Sequence, residues 1–135
     1  MKDLAALYLE IGEHDNAILL YRELAEEDPR ANIQLLNAYR ISRRFDEALQ
    51  LGQRLLDEDP DNIQAGILHA LVLGEVGQTS KGVEALNRML ASHPGNLDII
   101  VNLSQLHMDA RRFDEAERIL LRAESVNPEA DDRLK

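Results

Sequence analysis

Four histidines, three acidic clusters and two arginine pairs are the residues of this chain that could do chemistry. Two imidazoles on one helix share a metal only when they stand three or four residues apart, and His14, His69, His93 and His107 never do. His93 precedes Pro94 where a helix should stop, a place where its cation would suit the helix dipole. The clusters Glu26-Glu27-Asp28, Asp57-Glu58-Asp59 and Asp131-Asp132 offer paired carboxylates, which do acid-base work only in a pocket that shifts their ionisation. These fall at turns between helices and read as solvated charge. Arg43-Arg44 and Arg111-Arg112 could hold a phosphate, but each sits at a turn with Glu47 or Glu115 close enough to pair. No glycine-rich phosphate loop, nucleophile elbow or zinc spacing occurs. The sequence therefore assigns no catalytic residue, no metal ligand and no cofactor, and it is not read as an enzyme.

What the arginine pairs do mark is a repeat. Arg43-Arg44-Phe45-Asp46-Glu47-Ala48 returns as Arg111-Arg112-Phe113-Asp114-Glu115-Ala116, 68 residues later. Half that distance is 34, and Pro29, Pro60, Pro94 and Pro128 are separated by 31, 34 and 34 residues. A fixed period of that size is the signature of a helical solenoid, whose units bury their apolar faces only against neighbours.

Composition agrees with a folded array. The chain has 135 residues, 44% hydrophobic and 30% charged, and no apolar run approaches the ~20 residues of a membrane-spanning helix. A formal charge of -10 opposes nucleic-acid phosphate and anionic membrane surfaces, and no local basic patch offsets it. The absence of cysteine removes disulfide and thiolate chemistry and leaves the compartment open.

Apolar residues at helical spacing divide the chain into units of approximately 1–29, 30–60, 61–94 and 95–128, each a helix, a short turn and a helix. Gly12 and Gly77 end first helices, and Asn62 and Asn96 are candidate N-caps. The interval Pro29 to Pro60 is three residues short, which predicts a tighter connection just after Pro29. Met1 falls inside the first unit, as expected for a piece of a longer array. Residues 129–135 form a polar stub or the start of a capping helix, too short to cover the last unit, so uncapped ends would let copies associate. Gly52, Gly66, Gly74 and Gly82 lie inside predicted helices, either as a flexible joint or, preferably, as sites of close packing.

These residues resemble the tetratricopeptide repeat family. Its second-helix pattern is met by Ala17-Tyr21-Leu24-Pro29 and Ala116-Leu120-Ala123-Pro128, while Gly52 and Gly82 depart from it in the middle units. The first-helix pattern is met by Leu4-Ala5-Tyr8 and Leu35-Leu36-Tyr39, less well by His69-Ala70-Leu73 and Leu103-Ser104-His107. The resemblance implies an all-α, right-handed superhelical solenoid of about four units, with first helices lining a concave face that binds peptides or proteins. It also places His69 and His107 at usually apolar or aromatic positions, as partly buried core histidines. The basic clamp by which some family members hold an acidic chain terminus is not reproduced, since Ala6 and Leu68 occupy two of its places.

On the second unit's first helix Ala31, Leu35, Ala38 and Tyr39 share the core side, which leaves Arg30, Ile33, Asn37 and Arg40 opposite. Adding 34 gives Gln64, Ile67, Leu71 and Gly74; adding 34 again gives Asp98, Val101, Gln105 and Met108. Ile33, Ile67 and Val101 should then form an apolar row with Leu71 and Met108 beside it and Asn37, Arg40, Gln64 and Gln105 as polar neighbours. The function expected is non-catalytic: a scaffold that takes a peptide or partner protein in this groove. The second reading is a docking or regulatory array of a bacterial enzyme or polysaccharide-export component.

Overall fold

The computed structural model describes residues 2–126 and the side chains of residues 3–124. The expectations for Met1, Pro128, Asp131-Asp132 and the stub 129–135 lie outside the described residues. Eight α-helices run in order: α1 (Lys2–Glu10), α2 (His14–Glu27), α3 (Asn32–Ile41), α4 (Phe45–Glu58), α5 (Ile63–Glu75), α6 (Thr79–Ser92), α7 (Leu97–Asp109) and α8 (Phe113–Val126). No strand occurs among the described residues. The chain forms two compact units, Met1–Leu68 and His69–Lys135, divided within α5.

Each helix pair is joined by the same turn. Among the described residues Gly12, Arg43, Gly77 and Arg111 are those with positive φ, between 61° and 87°, and they stand 31, 34 and 34 apart. The amide after each bonds back into the first helix: Glu13 to Tyr8, Arg44 to Tyr39, Gln78 to Leu73 and Arg112 to His107, at 2.7–2.9 Å. This left-handed C-terminal closure satisfies carbonyls that the helix end would otherwise leave bare. Glycine adopts it freely, whereas Arg43 and Arg111 do so against the steric cost of a Cβ. The arginine pairs are thus turn-builders: Arg43 stacks its guanidinium 5.2 Å from the Phe45 ring, and Arg44 pairs with Asp15 of α2 and, at 4.0 Å, with Glu47.

The acidic clusters and asparagines close the other connections. Asp28 accepts from the Arg30 amide and Asp59 from the Asp61 amide, both at 3.1 Å. Asn62 and Asn96 cap α5 and α7 by accepting from the Ala65 and Ile99 amides at 3.1 Å. The shortened interval after Pro29 takes its three residues from the helix itself: α3 has 10 residues where α5 and α7 have 13, and a 3-10 turn, Pro29–Ala31, replaces the lost first turn. Asn32 consequently lands at the buried position that Gly66 and Ile100 fill later, and its amide donates to the Pro29 carbonyl at 3.0 Å.

Each unit buries its own core. The first closes over Ala17, Ile18, Leu36, Ala38 and Ala48; the second over Val72, Leu86, Ile99, Leu103 and Leu106. Small residues stand where helices approach closely, within a pair at Gly82 and against the next pair at Gly74. At Gly82 an added Cβ would lie 2.7 Å from the Ala70 carbonyl oxygen, and at Gly74 one would lie 2.8 Å from the Leu106 Cδ2. Close approach, rather than a joint, explains both glycines.

Candidate functional site

The stripe that α7 presents is built by its period alone. Asp98, Val101, Gln105 and Met108, three or four residues apart, are all exposed, whereas Ile99, Ile100, Leu103 and Leu106 turn inward. Val101 and Met108 keep 44% and 45% of their surface, about 10 Å apart along the axis by the rise per residue. Between them Gln105 donates to the Asp109 carboxylate at 2.9 Å, which holds its amide along the face. Apolar surface left open beside a fixed amide is what an incoming polypeptide can use.

In the first unit the counterpart face of α3 is less open. Ile33, Asn37 and Arg40 are half-buried, and the Arg40 guanidinium donates to the Asn37 side-chain oxygen Oδ1 at 3.1 Å. On α5, Gln64 is exposed, Leu71 is half-buried and Ile67 keeps only 9% of its surface. Ile67 is therefore no open anchor, a correction to its expected place in an exposed row. Its helix is apolar on nearly every side, with Ala65, Gly66, Ile67, Ala70, Val72 and Leu73 all buried, and a helix of that kind has no wide free face.

A groove of about 600 Å³ in the first unit was not expected. Leu35 and Tyr39 of α3 form its floor, Arg22 and Glu26 of α2 one wall, and Glu47 and Arg54 of α4 the other. Arg54 is steered across it by Asn32, whose side-chain oxygen accepts at 3.2 Å. Two cations and two carboxylates leave the walls without net charge, so the groove suits a polar segment better than a free anion. The one signal for it was the polar Asn32 at a position that is apolar in the later repeats.

No group of three or more His, Asp or Glu able to hold a metal occurs among the described residues. His14 starts α2, and His93 caps α6 through its backbone amide. His107 is buried, more deeply than expected, with Nδ1 unpartnered one turn from the equally unpartnered Ser104 Oγ. Burial lowers its pKa below the ordinary histidine value, the Arg112 charge lowers it further, and Glu115 opposes them. Burial also lowers His69. Near and below the ordinary value of ~6.5 the unfolded chain then binds more protons than the native one, so stability falls as pH drops through that value. Urea midpoints should decrease from pH 7.5 to 5.5, and the decrease should be smaller in His107→Leu, which copies Leu73 at the equivalent position.

Residues 2–63 and residues 73–135 each match a family model described as tetratricopeptide repeat. This chain belongs to the tetratricopeptide repeat family. Among curated proteins it is 26% identical over 123 residues to ER membrane protein complex subunit 2-A of Xenopus laevis, covering 89% of this chain and 41% of that protein. It is 26% identical over 130 residues to the human protein O-mannosyl-transferase TMTC1, covering 95% of this chain and 15% of that one. The chain thus spans less than half the length of these relatives. Solved tetratricopeptide structures share its fold: TTC0263 of Thermus thermophilus at a TM-score of 0.74 and 16% identity, covering 94% of this chain and 73% of that one, and the MamA protein at 0.72 and 19%, covering 97% and 73%. The all-α repeat solenoid is therefore the fold, and interaction scaffolding is the general role that goes with it. Among the described residues no helix is long and apolar enough to cross a membrane.

Proposed function

We propose that this tetratricopeptide chain is a non-catalytic adaptor, one array over its four helix pairs, that holds an apolar-anchored segment of a partner protein on the free faces of its first helices. The observation that carries this reading is the α7 stripe, where Val101 and Met108 stay open on either side of Gln105. Two aliphatic side chains seven residues apart suit anchors on a partner, and the amide between them can meet a backbone group. Within the second unit Leu71 of α5 is the further apolar candidate; in the first unit, taken by itself, Ile33, Asn37 and Arg40 of α3 are the counterpart candidates, with Gln64 as an exposed polar residue and the buried Ile67 as support. Similarity to a protein named as a subunit of an ER membrane complex favours a scaffold inside a larger assembly. Similarity to part of an O-mannosyl-transferase supports the second reading, an array that docks substrate or regulates an attached enzyme.

The test is a selection of binding peptides from a random library, followed by affinity measurements on variants. Val101→Asp and Met108→Asp should each weaken a selected binder by about ten-fold or more, equivalent to about 1.4 kcal/mol, with helicity unchanged. Selected binders that ignore both substitutions would remove α7 from the site.

A further inference from the structure

The groove of the first unit is closed at the corresponding place in the second. The register of the turns, Gly12 with Gly77 and Arg43 with Arg111, aligns Ala25, Asn32 and Leu51 of the groove with Leu90, Ile100 and Ile119. In the second unit Leu90 and Ile119 pack against a buried cluster that contains Ile100. The space left there is about 30 Å³, against about 600 Å³ in the first unit. The repeat itself does not require the opening. Alanine and asparagine stand where leucine and isoleucine would fill it.

The groove also lies on the other side of α3 from Ile33, Asn37 and Arg40, since Leu35 and Tyr39 point away from them at about 100° per residue. Asn32, Leu35, Tyr39 and Leu51 are all buried, so its bottom is closed. Its volume is that of sites that enclose a drug-sized molecule, with room for a few residues of extended chain at ~3.3 Å each.

The polar groups on the walls are not equally engaged. Arg54 donates to the Asn32 side-chain oxygen at 3.2 Å and stands 3.9 Å from Glu58, so its guanidinium is already held. Glu47 has only Arg44 at 4.0 Å, a guanidinium that also pairs with Asp15. Glu26, on the facing wall, makes no ion pair or hydrogen bond among the described residues. The carboxylates are therefore the groups with capacity left, and the chain's formal charge of -10 adds a field that draws cations toward them. Arg22 and Gln50 supply N–H donors for a peptide carbonyl. Leu35 and Leu51 offer apolar surface to one side chain.

We propose that this groove binds a short extended segment of a partner protein, which inserts one lysine or arginine between Glu26 and Glu47 and lays a neighbouring apolar side chain over Leu35 and Leu51. The α7 stripe is built from other residues, so failure of either reading leaves the other standing. The probe is the capped peptide acetyl-Ala-Lys-Leu-Ala-amide, beside its counterpart with glutamate for lysine, titrated into the 15N-labelled chain. Amide shifts should saturate and concentrate in residues 22–26, 32–39 and 47–54, and the glutamate peptide should bind about five-fold or more weaker. Ala25→Leu combined with Asn32→Ile copies the closure of the second unit; it should leave helicity by circular dichroism unchanged and weaken the lysine peptide about ten-fold or more. Glu26→Gln, at an exposed position, should weaken it about three-fold without touching the fold, and decides the matter alone if the filled chain misfolds. Val101→Asp should change nothing. Shifts that fail to saturate or that gather on α7, equal binding of the two peptides, full binding to the folded, filled chain, or indifference to Glu26→Gln would each overturn the proposal.

Discussion

Leu106→Ala is expected to destabilise the chain by about 3 kcal/mol, while Leu7→Ala, at the same repeat position, should cost under about 1 kcal/mol. Both substitutions remove the same atoms. The difference lies in what surrounds them: Leu106 is closed in over Gly74 and Gly82, so its loss leaves a cavity, whereas Leu7 keeps half its surface in solvent. A Cβ at Gly74 would stand 2.8 Å from the Leu106 Cδ2, so Gly74→Ala should destabilise the parent chain. Once Leu106 is alanine that conflict is gone, and Gly74→Ala should become neutral or stabilising, because alanine gains up to ~1 kcal/mol over glycine in a helix. Urea unfolding of the four chains gives the coupling directly. Equal losses at Leu7 and Leu106 would mean that the two positions are covered alike.

The helix pairs were legible because their cause is local. The 34-residue spacing, the caps Asn62 and Asn96, and Gly12 and Gly77 at the turns all act through neighbouring residues. Arg43 and Arg111 hid the same turn, since arginine carries no sign of a left-handed backbone and only their register with the two glycines reveals it. The candidate sites were legible in part. Counting by 34 finds α7's exposed stripe, but it treats Ile33, Ile67 and Val101 as equals, and the almost wholly apolar α5 buries Ile67. The groove over Leu35 and Tyr39 depends on a first turn that α3 lacks, and a gap in a period does not say what fills it.

The crossing of α5 and α6 sets the other large effect, Gly82→Ala. Helix propensity alone would make the change stabilising by up to ~1 kcal/mol, Gly82 being the fourth residue of α6. Against this stands the carbonyl oxygen of Ala70, 2.7 Å from where the new Cβ would sit. That atom belongs to the backbone of α5 and cannot rotate away, so α5 and α6 must move apart. Overpacking of this kind costs about 1–3 kcal/mol, and separating the helices also loosens the buried Leu86. The steric term exceeds the propensity term, and a net loss of about 2 kcal/mol is expected, read as a lower urea midpoint with an unchanged slope. Ala116 occupies the same position in α8 and shows that the repeat itself tolerates a methyl there, so the conflict belongs to the α5–α6 crossing. Ala116→Gly should therefore destabilise its own pair, and a gain in stability at either position would mean that the close approach of α5 to α6 is not what selects glycine.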